Sequence, residues 1–482
     1  MNDSLDFLFS PASIAIVGAT ANPEKQGWMY LKKLLDFGFP GPIYPVNPRG
    51  GEILGQKVYT SLAETPGPID YVISTVPAPQ LPPVIQQCGP KGVKVLVLYT
   101  AQLGETGHPQ GKAEEARLVA LARAQGVRVL GPNCMGVYCP RAGLTFRYSS
   151  PKEPGEVGLL FQSAGNAAEA IYRGAARGLR FSKAISYGNA ADINETELLE
   201  YLGQDPETRL IGAYIEGVRD RHFPQVLRQV AREKPVVIYK VGRTEAGARA
   251  AASHTGSLAG SVPVFNALVK QAGAVAVSSM EELVDVLLCL AFLPPPQGID
   301  VAAMGAGGGG STSLGDELET RGLRLPPFPE EVNQELRSLL GEEWYFLRNP
   351  IDSSVIFPNW GPSLAEAVFR LLARHPLYSL LMADGGEWGP DHPNELERYQ
   401  AMVDIFVRVC RESGKPALLV IRTAEGAEDW RLQAVARAVD QAARARLPSF
   451  PSLLRAAQAL GQFTRYHQAR QEKTIPVQRR VR

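Results

Sequence analysis

The chain has 482 residues, of which 45% are apolar and 21% charged, and its formal net charge is +1. That length exceeds what one core organises, so roughly two to four domains are expected, and the near-neutral charge gives no general drive toward nucleic acid or an anionic membrane. No apolar run approaches the roughly 18 residues of a membrane-spanning helix, and Met1 to Asp6 lacks the basic and apolar regions of a secretion signal, so a cytoplasmic location is expected. The five cysteines (88, 134, 139, 289 and 410) are odd in number and scattered. Only Cys134 and Cys139 are near each other, and their spacing is not that of a zinc knuckle, so reduced core thiols and no metal site are expected.

The first stretch, about 1 to 145, opens with the apolar run Ser13 to Thr20, which ends in a glycine turn and reads as a strand. Further strands are expected at 42–46, 71–76, 93–98 and 127–130, separated by helix-like segments such as Lys112 to Gln125. Alternating strands and helices predict a Rossmann-like parallel sheet with a ligand at the carboxyl ends of its strands. The turn Gly18 to Gly27 is not GxGxxG, and the second strand ends in Asn47-Pro48-Arg49-Gly50 with no carboxylate for a ribose 2′-hydroxyl. A basic residue there suits an extra ribose phosphate, as in coenzyme A or NADP. A scaffold without ligand is the bland alternative.

The second stretch, about 150 to 293, begins with a strand at Val157 to Phe161, the small-residue turn Gln162-Ser163-Ala164-Gly165-Asn166, and a helix to about Arg177. Free N–H groups at such a helix start make an anion site, although an ordinary serine-capped turn reads the same way. Strands at 181–187 and 210–215 follow, the latter ending at Glu216-Gly217. A carboxylate at a strand's carboxyl end can orient a histidine, or can be a plain rim glutamate. The fourth strand, Pro235 to Tyr239, runs into Lys240 to Gly260, a stretch of small residues holding His254. Small residues let another group approach the imidazole closely, and His254 is read as carrying a phosphoryl group during turnover. A helix at about 262–272 and a strand at 274–277 close the stretch.

Leu293-Pro294-Pro295-Pro296-Gln297-Gly298 reads as a stiff linker. In the third stretch, about 298 to 470, a strand at 299–304 meets Gly305-Ala306-Gly307-Gly308-Gly309-Gly310-Ser311, and a helix is expected from about Ser313 to Arg321. This is a second candidate anion site, or a flexible loop without ligand. Later strands are expected at 377–382 and 416–421, helices at about 394–412 and 428–444, and a basic tail at 471–482.

Several of these motifs carry a family resemblance. Ile16-Val17-Gly18-Ala19, Lys25-Gln26-Gly27, Tyr44-Pro45-Val46-Asn47-Pro48 and Gly131-Pro132-Asn133-Cys134-Met135-Gly136 resemble the CoA-binding domain of succinyl-CoA synthetase α subunits and ADP-forming acyl-CoA synthetases. Gly242 to Gly260 is similar, nearly residue for residue, to the phosphohistidine loop of the ADP-forming enzymes, and Gly188-Asn189-Ala190-Ala191-Asp192 and Tyr214-Ile215-Glu216-Gly217 also match. The third stretch resembles the carboxyl-terminal domain of the succinyl-CoA synthetase β subunit, with Asn349-Pro350-Ile351-Asp352 in place of its Asn-Pro-Val-Asp. The resemblance implies a Rossmann-like CoA-binding domain followed by two flavodoxin-like doubly wound domains. It implies that Gly18, Ala19, Thr20, Lys25, Gln26 and Gly27 wrap nucleotide phosphates, that Val46, Asn47, Pro48 and Arg49 border the adenosine, and that Ser74, Val76, Pro77 and Asn133 line the pantetheine path. His254 and Glu216 become the phosphorylated histidine and its partner, with Ser163, Ala164, Gly165 and Asn166 and then Gly307, Gly308, Gly309 and Gly310 as two phosphate cradles converging on one phosphate.

The implied reaction converts acyl-CoA, phosphate and ADP to carboxylic acid, CoA and ATP, with ADP and its magnesium on a separate ATP-grasp β subunit in an α2β2 assembly. One departure stands out: Tyr99 to Glu105 replaces the Ser-Ala-Gly-Phe type of turn near the thioester, which bears on the acyl group. The competing reading is a non-catalytic CoA or acyl-CoA sensor, which a missing histidine or glutamate would have favoured. A protein-acetyltransferase subunit has no room in the chain for its transferase module, and the first turn disfavours an NADP oxidoreductase.

Overall fold

The computed structural model describes residues 5–247, 261–305, 308–341, 347–352, 361–385, 393–422 and 426–474. The short apolar runs become strands because turn residues on either side leave no room for a helix. The first sheet is built from β1 (Ile14–Val17), β2 (Ile43–Val46), β5 (Tyr71–Ser74), β6 (Val95–Leu98) and β7 (Arg128–Leu130), while β3 (Glu52–Ile53) and β4 (Gln56–Lys57) form a separate hairpin. All five strands of the sheet are parallel, in the order β2-β1-β5-β6-β7. The order reverses between β1 and β5, which opens a crevice at the carboxyl ends of the strands there. Val17, Val72, Leu96 and Leu98 are buried against Ile85 and Leu118 of the crossover helices, so these strands read as continuous apolar runs. The helix Gln26–Phe37 sits directly on the turn after β1. A Cβ at Gly27 would lie 2.1 Å from the Gly18 carbonyl oxygen, so only glycine permits that seating.

The second sheet contains β8 (Gly136–Tyr138), β9 (Pro154–Phe161), β10 (Phe181–Ser186), β11 (Leu210–Ile215), β12 (Val236–Lys240) and β13 (Val275–Val277). Its order is β13-β12-β11-β9-β10-β8, parallel except for β8, which runs antiparallel to β10. Thus β8, from the stretch before residue 145, is a member of the second sheet. These two sheets form one compact unit. The Gly188-to-Asp192 motif fastens them together. The Asn189 and Ala191 N–H groups donate to the Pro132 and Gly131 carbonyls at 3.0 Å each. The buried Asp192 carboxylate accepts from Arg123 Nε (2.9 Å), Arg128 Nε (3.1 Å) and the Val129 N–H (2.7 Å).

The third sheet, in the other compact unit, has four parallel strands in chain order: β14 (Val301–Met304), β15 (Leu380–Asp384), β16 (Ala417–Val420) and β17 (Ser449–Phe450). Val332, Phe369 and Phe406 pack on one face and Leu314, Leu460 and Phe463 on the other. The helix Met280–Phe292, expected with the second stretch, contributes Cys289 to this core. The helix Gly308–Glu319 begins five residues before the expected Ser313, so Gly308, Gly309 and Gly310 form its first turn rather than a loop. Asn349 braces the neighbouring strand: its amide nitrogen donates to the Val301 and Pro326 carbonyls at 2.8 and 2.9 Å, and its oxygen accepts from the Ala303 N–H at 3.1 Å. Residues 471–474, expected as tail, end the helix Leu453–Thr474. Among the described residues no helix is long and apolar enough to cross a membrane, and all five cysteines are buried and unpaired.

Candidate active site

A cleft of about 950 Å³ opens where β5 and β6 end. Val76, Pro77, Leu103 and Met135 give it apolar walls, and Thr106, His108, Gln110 and Glu114 give it a polar one. Val76, Pro77 and Asn133 line it, as does Tyr99 from the departing turn. Ser74 is fully buried, its hydroxyl is without a partner, and the cleft wall at that point is Thr75. The turn after β1 is stitched to the end of β2. Gly18 and Ala19 donate their N–H groups to the Val46 carbonyl at 3.0 and 3.2 Å, and Asn47 Nδ2 donates to the Ala19 carbonyl at 2.7 Å. Thr20 Oγ1 accepts from the Asn22 N–H at 3.3 Å. Lys25 precedes the helix Gln26–Phe37 without capping it through its side chain, and Lys25, Pro48 and Arg49 are exposed around this turn. The Gln26 side-chain oxygen is buried and without a partner.

Asn189 ties the turn at 99–105 to the second sheet. Its amide nitrogen donates to Glu105 and Glu115 carboxylate oxygens, both at 2.7 Å. Glu105 also accepts the Leu103 N–H at 3.2 Å, and Glu115 accepts the Gly104 N–H at 3.1 Å and faces Arg219 at 3.6 Å. The cleft also reaches Ala164, the first residue of the helix Ala164–Ala176. Ser163 Oγ accepts from the Asn166 N–H at 3.4 Å, and Gly165 is exposed. The first-turn N–H groups of any helix have no partner within it, so this end offers donors and partial positive charge to an anion.

Glu216 directly follows β11 and is 5% exposed. Its backbone is held from both sides. Gln162 Oε1 accepts from the N–H groups of Glu216 (2.9 Å) and Gly217 (3.2 Å). Lys240 Nζ donates to the carbonyls of Glu216 (2.8 Å) and Val241 (2.6 Å). The Tyr214 phenol stands beside the Glu216 carboxylate and the Asn166 side chain, so one ring neighbours both the helix start and the glutamate. Burial and the Glu216 charge push that phenol above its ordinary range. Burial pulls the Lys240 ammonium below the usual lysine range, and the Glu216 carboxylate opposes it. The Tyr187 hydroxyl is buried beside this cluster without a partner, and burial, then Glu195 and Glu216, keep it protonated. Gln162 and Lys240 escaped the sequence reading, although a lysine closing the apolar run Val236–Lys240 was a visible signal. His254 and its loop from 248 to 260 lie outside the described residues, as does Gly307.

Two family models match the chain: a CoA binding domain over residues 12–140 and a succinyl-CoA ligase like flavodoxin domain over residues 154–290. The acetate–CoA ligase (ADP-forming) I subunit alpha of Pyrococcus furiosus is 36% identical over 463 residues, covering 95% of this chain and 96% of its own. The chain belongs to the α subunits of the ADP-forming acyl-CoA ligases. The II subunit alpha of the same organism is 40% identical over 350 residues, or 72% of this chain and 76% of its own. A solved structure of the dinucleotide-forming acetyl-coenzyme A synthetase 1 of Ca. Korarchaeum cryptofilum, in complex with phosphate and ADP, superimposes with a TM-score of 0.83 at 31% identity, covering 99% of this chain and 100% of that one. As a ligase α subunit the chain is part of an acid–thiol ligase.

The clamp on Glu216 makes a prediction for this ligase subunit. Lys240→Met removes two charge-assisted hydrogen bonds from the root of the histidine loop while leaving the cleft untouched. Turnover is expected to fall about 10- to 100-fold, with the KM for CoA within about twofold. Steady-state kinetics with the partner subunit present, alongside circular dichroism to confirm folding, check the split. A KM that rises with an unchanged kcat would place Lys240 in substrate binding instead.

Proposed function

We propose that this α subunit interconverts acyl-CoA, phosphate and ADP with carboxylic acid, CoA and ATP through an acyl phosphate and a phosphohistidine at His254. The observation that carries the reading is that one cleft joins the wall of the CoA-binding domain to the helix start at Ala164. A thioester lying along Val76, Pro77 and Asn133 would meet a phosphate held at Ser163 to Asn166. A phosphate oxygen attacks the thioester carbonyl, the C–O bond forms, the C–S bond breaks, and CoA leaves as thiolate. An imidazole nitrogen of His254 then attacks the phosphorus of the acyl phosphate, and the carboxylate departs with the bridging oxygen. A terminal phosphate oxygen of ADP finally takes the phosphoryl group from the histidine, and ATP forms.

Glu216 would orient the imidazole and offset its positive charge, with Gln162 and Lys240 fixing where the glutamate stands. The helix start would balance part of the phosphohistidine charge of about −2, and Gly308 to Gly310 would supply a second set of donors. Catalysis of this kind rests on positioning and fixed electrostatics. CoA would be held by Gly18 to Thr20, Lys25 to Gly27 and Val46 to Arg49. We infer further that ADP and its magnesium sit on a separate ATP-grasp β subunit in an α2β2 assembly, that the enzyme is cytoplasmic, and that the turn Tyr99 to Glu105, on the cleft wall, selects the acyl group. The domain limits we propose follow the motifs, 1–145, 150–293 and 298–470, with β8 reaching into the second sheet and the helix Met280–Phe292 packing on the third.

The test is incubation of the chain with a panel of acyl-CoA thioesters and labelled inorganic phosphate. An acid-labile, base-stable phosphoryl group on the protein is the expected result. If no thioester labels the wild type, even with a β subunit and ATP, the chain is a CoA-binding sensor.

A further inference from the structure

Asn189 lies just past β10, is 1% exposed, and stands behind the cleft wall rather than in it. Its side chain nevertheless joins two segments that line the cleft. One segment carries Asn133 and Met135, and the other runs from Tyr99 to Leu103 and on to Thr106. Toward the first, the Asn189 N–H donates to the Pro132 carbonyl at 3.0 Å, and its side-chain oxygen accepts from Asn133 Nδ2 at 3.5 Å. Toward the second, its Nδ2 donates to the carboxylates of Glu105 and Glu115, both at 2.7 Å. Glu105 in turn shapes the segment by accepting the N–H groups of Gln102 and Leu103. Gln102 sits at φ 67°, in the left-handed region that glycine favours, so the turn holds a conformation that its sequence alone does not prefer. Glu115 accepts the Gly104 N–H at 3.1 Å, and a Cβ at Gly104 would lie 2.5 Å from its carboxylate, so the turn rests directly on that group.

Two carboxylates gathered on one amide nitrogen repel each other, and Arg219, 3.6 Å from Glu115, relieves only part of that repulsion. Charge-assisted hydrogen bonds from the Asn189 amide hold both carboxylates in place at once. Without that donor the charges part, and the turn built on them moves. The spacing between Asn133 and the turn is therefore set from behind, by one buried side chain. We propose that Asn189 is the positioning residue that sets the width of the acyl end of the cleft, and with it the size of acyl group the chain accepts. The proposal rests on the reading of Tyr99 to Glu105 as the acyl-selecting turn. It concerns how a thioester fits and not the transfer of the phosphoryl group.

The experiment measures binding of CoA, acetyl-CoA and hexanoyl-CoA to the full chain by calorimetry, without phosphate or ADP, so that no turnover occurs. The readout is the ratio of the two thioester Kd values. Asn189→Asp keeps the size and the acceptor oxygen but turns a carboxylate oxygen on Glu105 and Glu115. It is expected to change the ratio about tenfold, the scale on which a pocket tells one methylene from none, with the Kd for CoA within about twofold. Adding Glu105→Gln restores a donor–acceptor pair with the roles exchanged, and should bring the ratio back to within about threefold of wild type. Glu105→Ala cuts the same link from the turn side and should shift the ratio as Asn189→Asp does. An unchanged ratio in Asn189→Asp overturns the proposal, or in Glu105→Ala if the first variant does not fold. Equal losses for CoA and both thioesters overturn it too, as does a ratio that the double variant fails to restore. Tyr99→Ala separates the proposal from the reading beneath it. If Tyr99→Ala also leaves the ratio unchanged, the turn does not meet the acyl group and both fall. If Tyr99→Ala shifts the ratio and Asn189→Asp does not, only the role of Asn189 falls. A missing phosphoryl label on His254 would count against the phosphohistidine and leave these ratios as they are.

Discussion

Replacing His254 by alanine is expected to reduce the acid-labile phosphoryl label to background and to lower turnover by about 10⁴-fold or more, as loss of a covalent carrier does. The chain has six histidines, and the four described ones make poor carriers. His375 Nδ1 accepts the Leu377 N–H at 3.3 Å. His222 pairs with Asp220 at 2.9 Å and is exposed, and His467 packs edge-on against Phe463 and Tyr466. His108 is the informative rival, because it lines the cleft. Its Nδ1 accepts the Gln110 N–H at 3.3 Å and caps the helix Pro109–Ala124, so one ring nitrogen is already committed. Phosphoryl labelling of wild type, His254→Ala and His108→Ala therefore decides the carrier. A label that survives in His254→Ala and vanishes in His108→Ala would move the chemistry to the cleft wall. Glu216→Gln should keep the fold and slow labelling without abolishing it, since an amide orients the ring but leaves its charge unbalanced.

The second large effect concerns stability. In the unfolded chain a lysine titrates near 10.4, whereas burial on the helix Gln26–Phe37 pulls Lys33 in the folded chain down to about 8. Between those two values the unfolded state holds more protons, so this group makes stability rise with pH across that interval. Below pH 8 the full penalty is present. A shift of this size corresponds to about 3 kcal/mol at most, and solvent reaching the ammonium screens part of it, so Lys33→Met is expected to stabilise the chain by about 1–2 kcal/mol at pH 7. The gain should shrink toward zero by about pH 10.5. Denaturant unfolding of both proteins at pH 7 and pH 10 measures the difference. A variant that is less stable at pH 7 would mean that the ammonium is well satisfied where it is.

Much of the fold was legible because its strands are short apolar runs closed by turn residues. Tyr71–Ser74, Val95–Leu98 and Leu210–Ile215 all lie inside the runs read from sequence. The helices Glu330–Leu340, Pro362–Arg374 and Leu453–Thr474 were not read, since each is polar on the outside and shares its apolar residues with a distant sheet. Gly308 to Gly310 looked like a loop because glycine is a poor helix former, yet a helix start needs free N–H groups more than it needs propensity. The site divides in the same way. Motifs contiguous in sequence, such as Gly131 to Gly136, announced themselves. The Gln162–Glu216–Lys240 clamp joins three strand ends far apart in the chain, and only the sheet order brings it together. Thr75 in place of Ser74 on the cleft wall is a one-residue slip, which on a strand exchanges one face for the other. Lys33 stayed invisible because a lysine in an amphipathic helix is read as solvent-facing by default.

The antiparallel strand β8 has a consequence for how such chains diversify. It is contributed by the segment that follows the Gly131-to-Asn133 turn, yet it completes the far edge of the neighbouring sheet. Severing the polypeptide after it would leave the Phe181–Ser186 edge bare, an open template for intermolecular pairing. The first two sheets therefore share a strand across the boundary between them, and a split placed there exposes that edge. On the proposed reading of the rim, point changes at Tyr99 to Glu105 alter acyl preference without disturbing that shared edge.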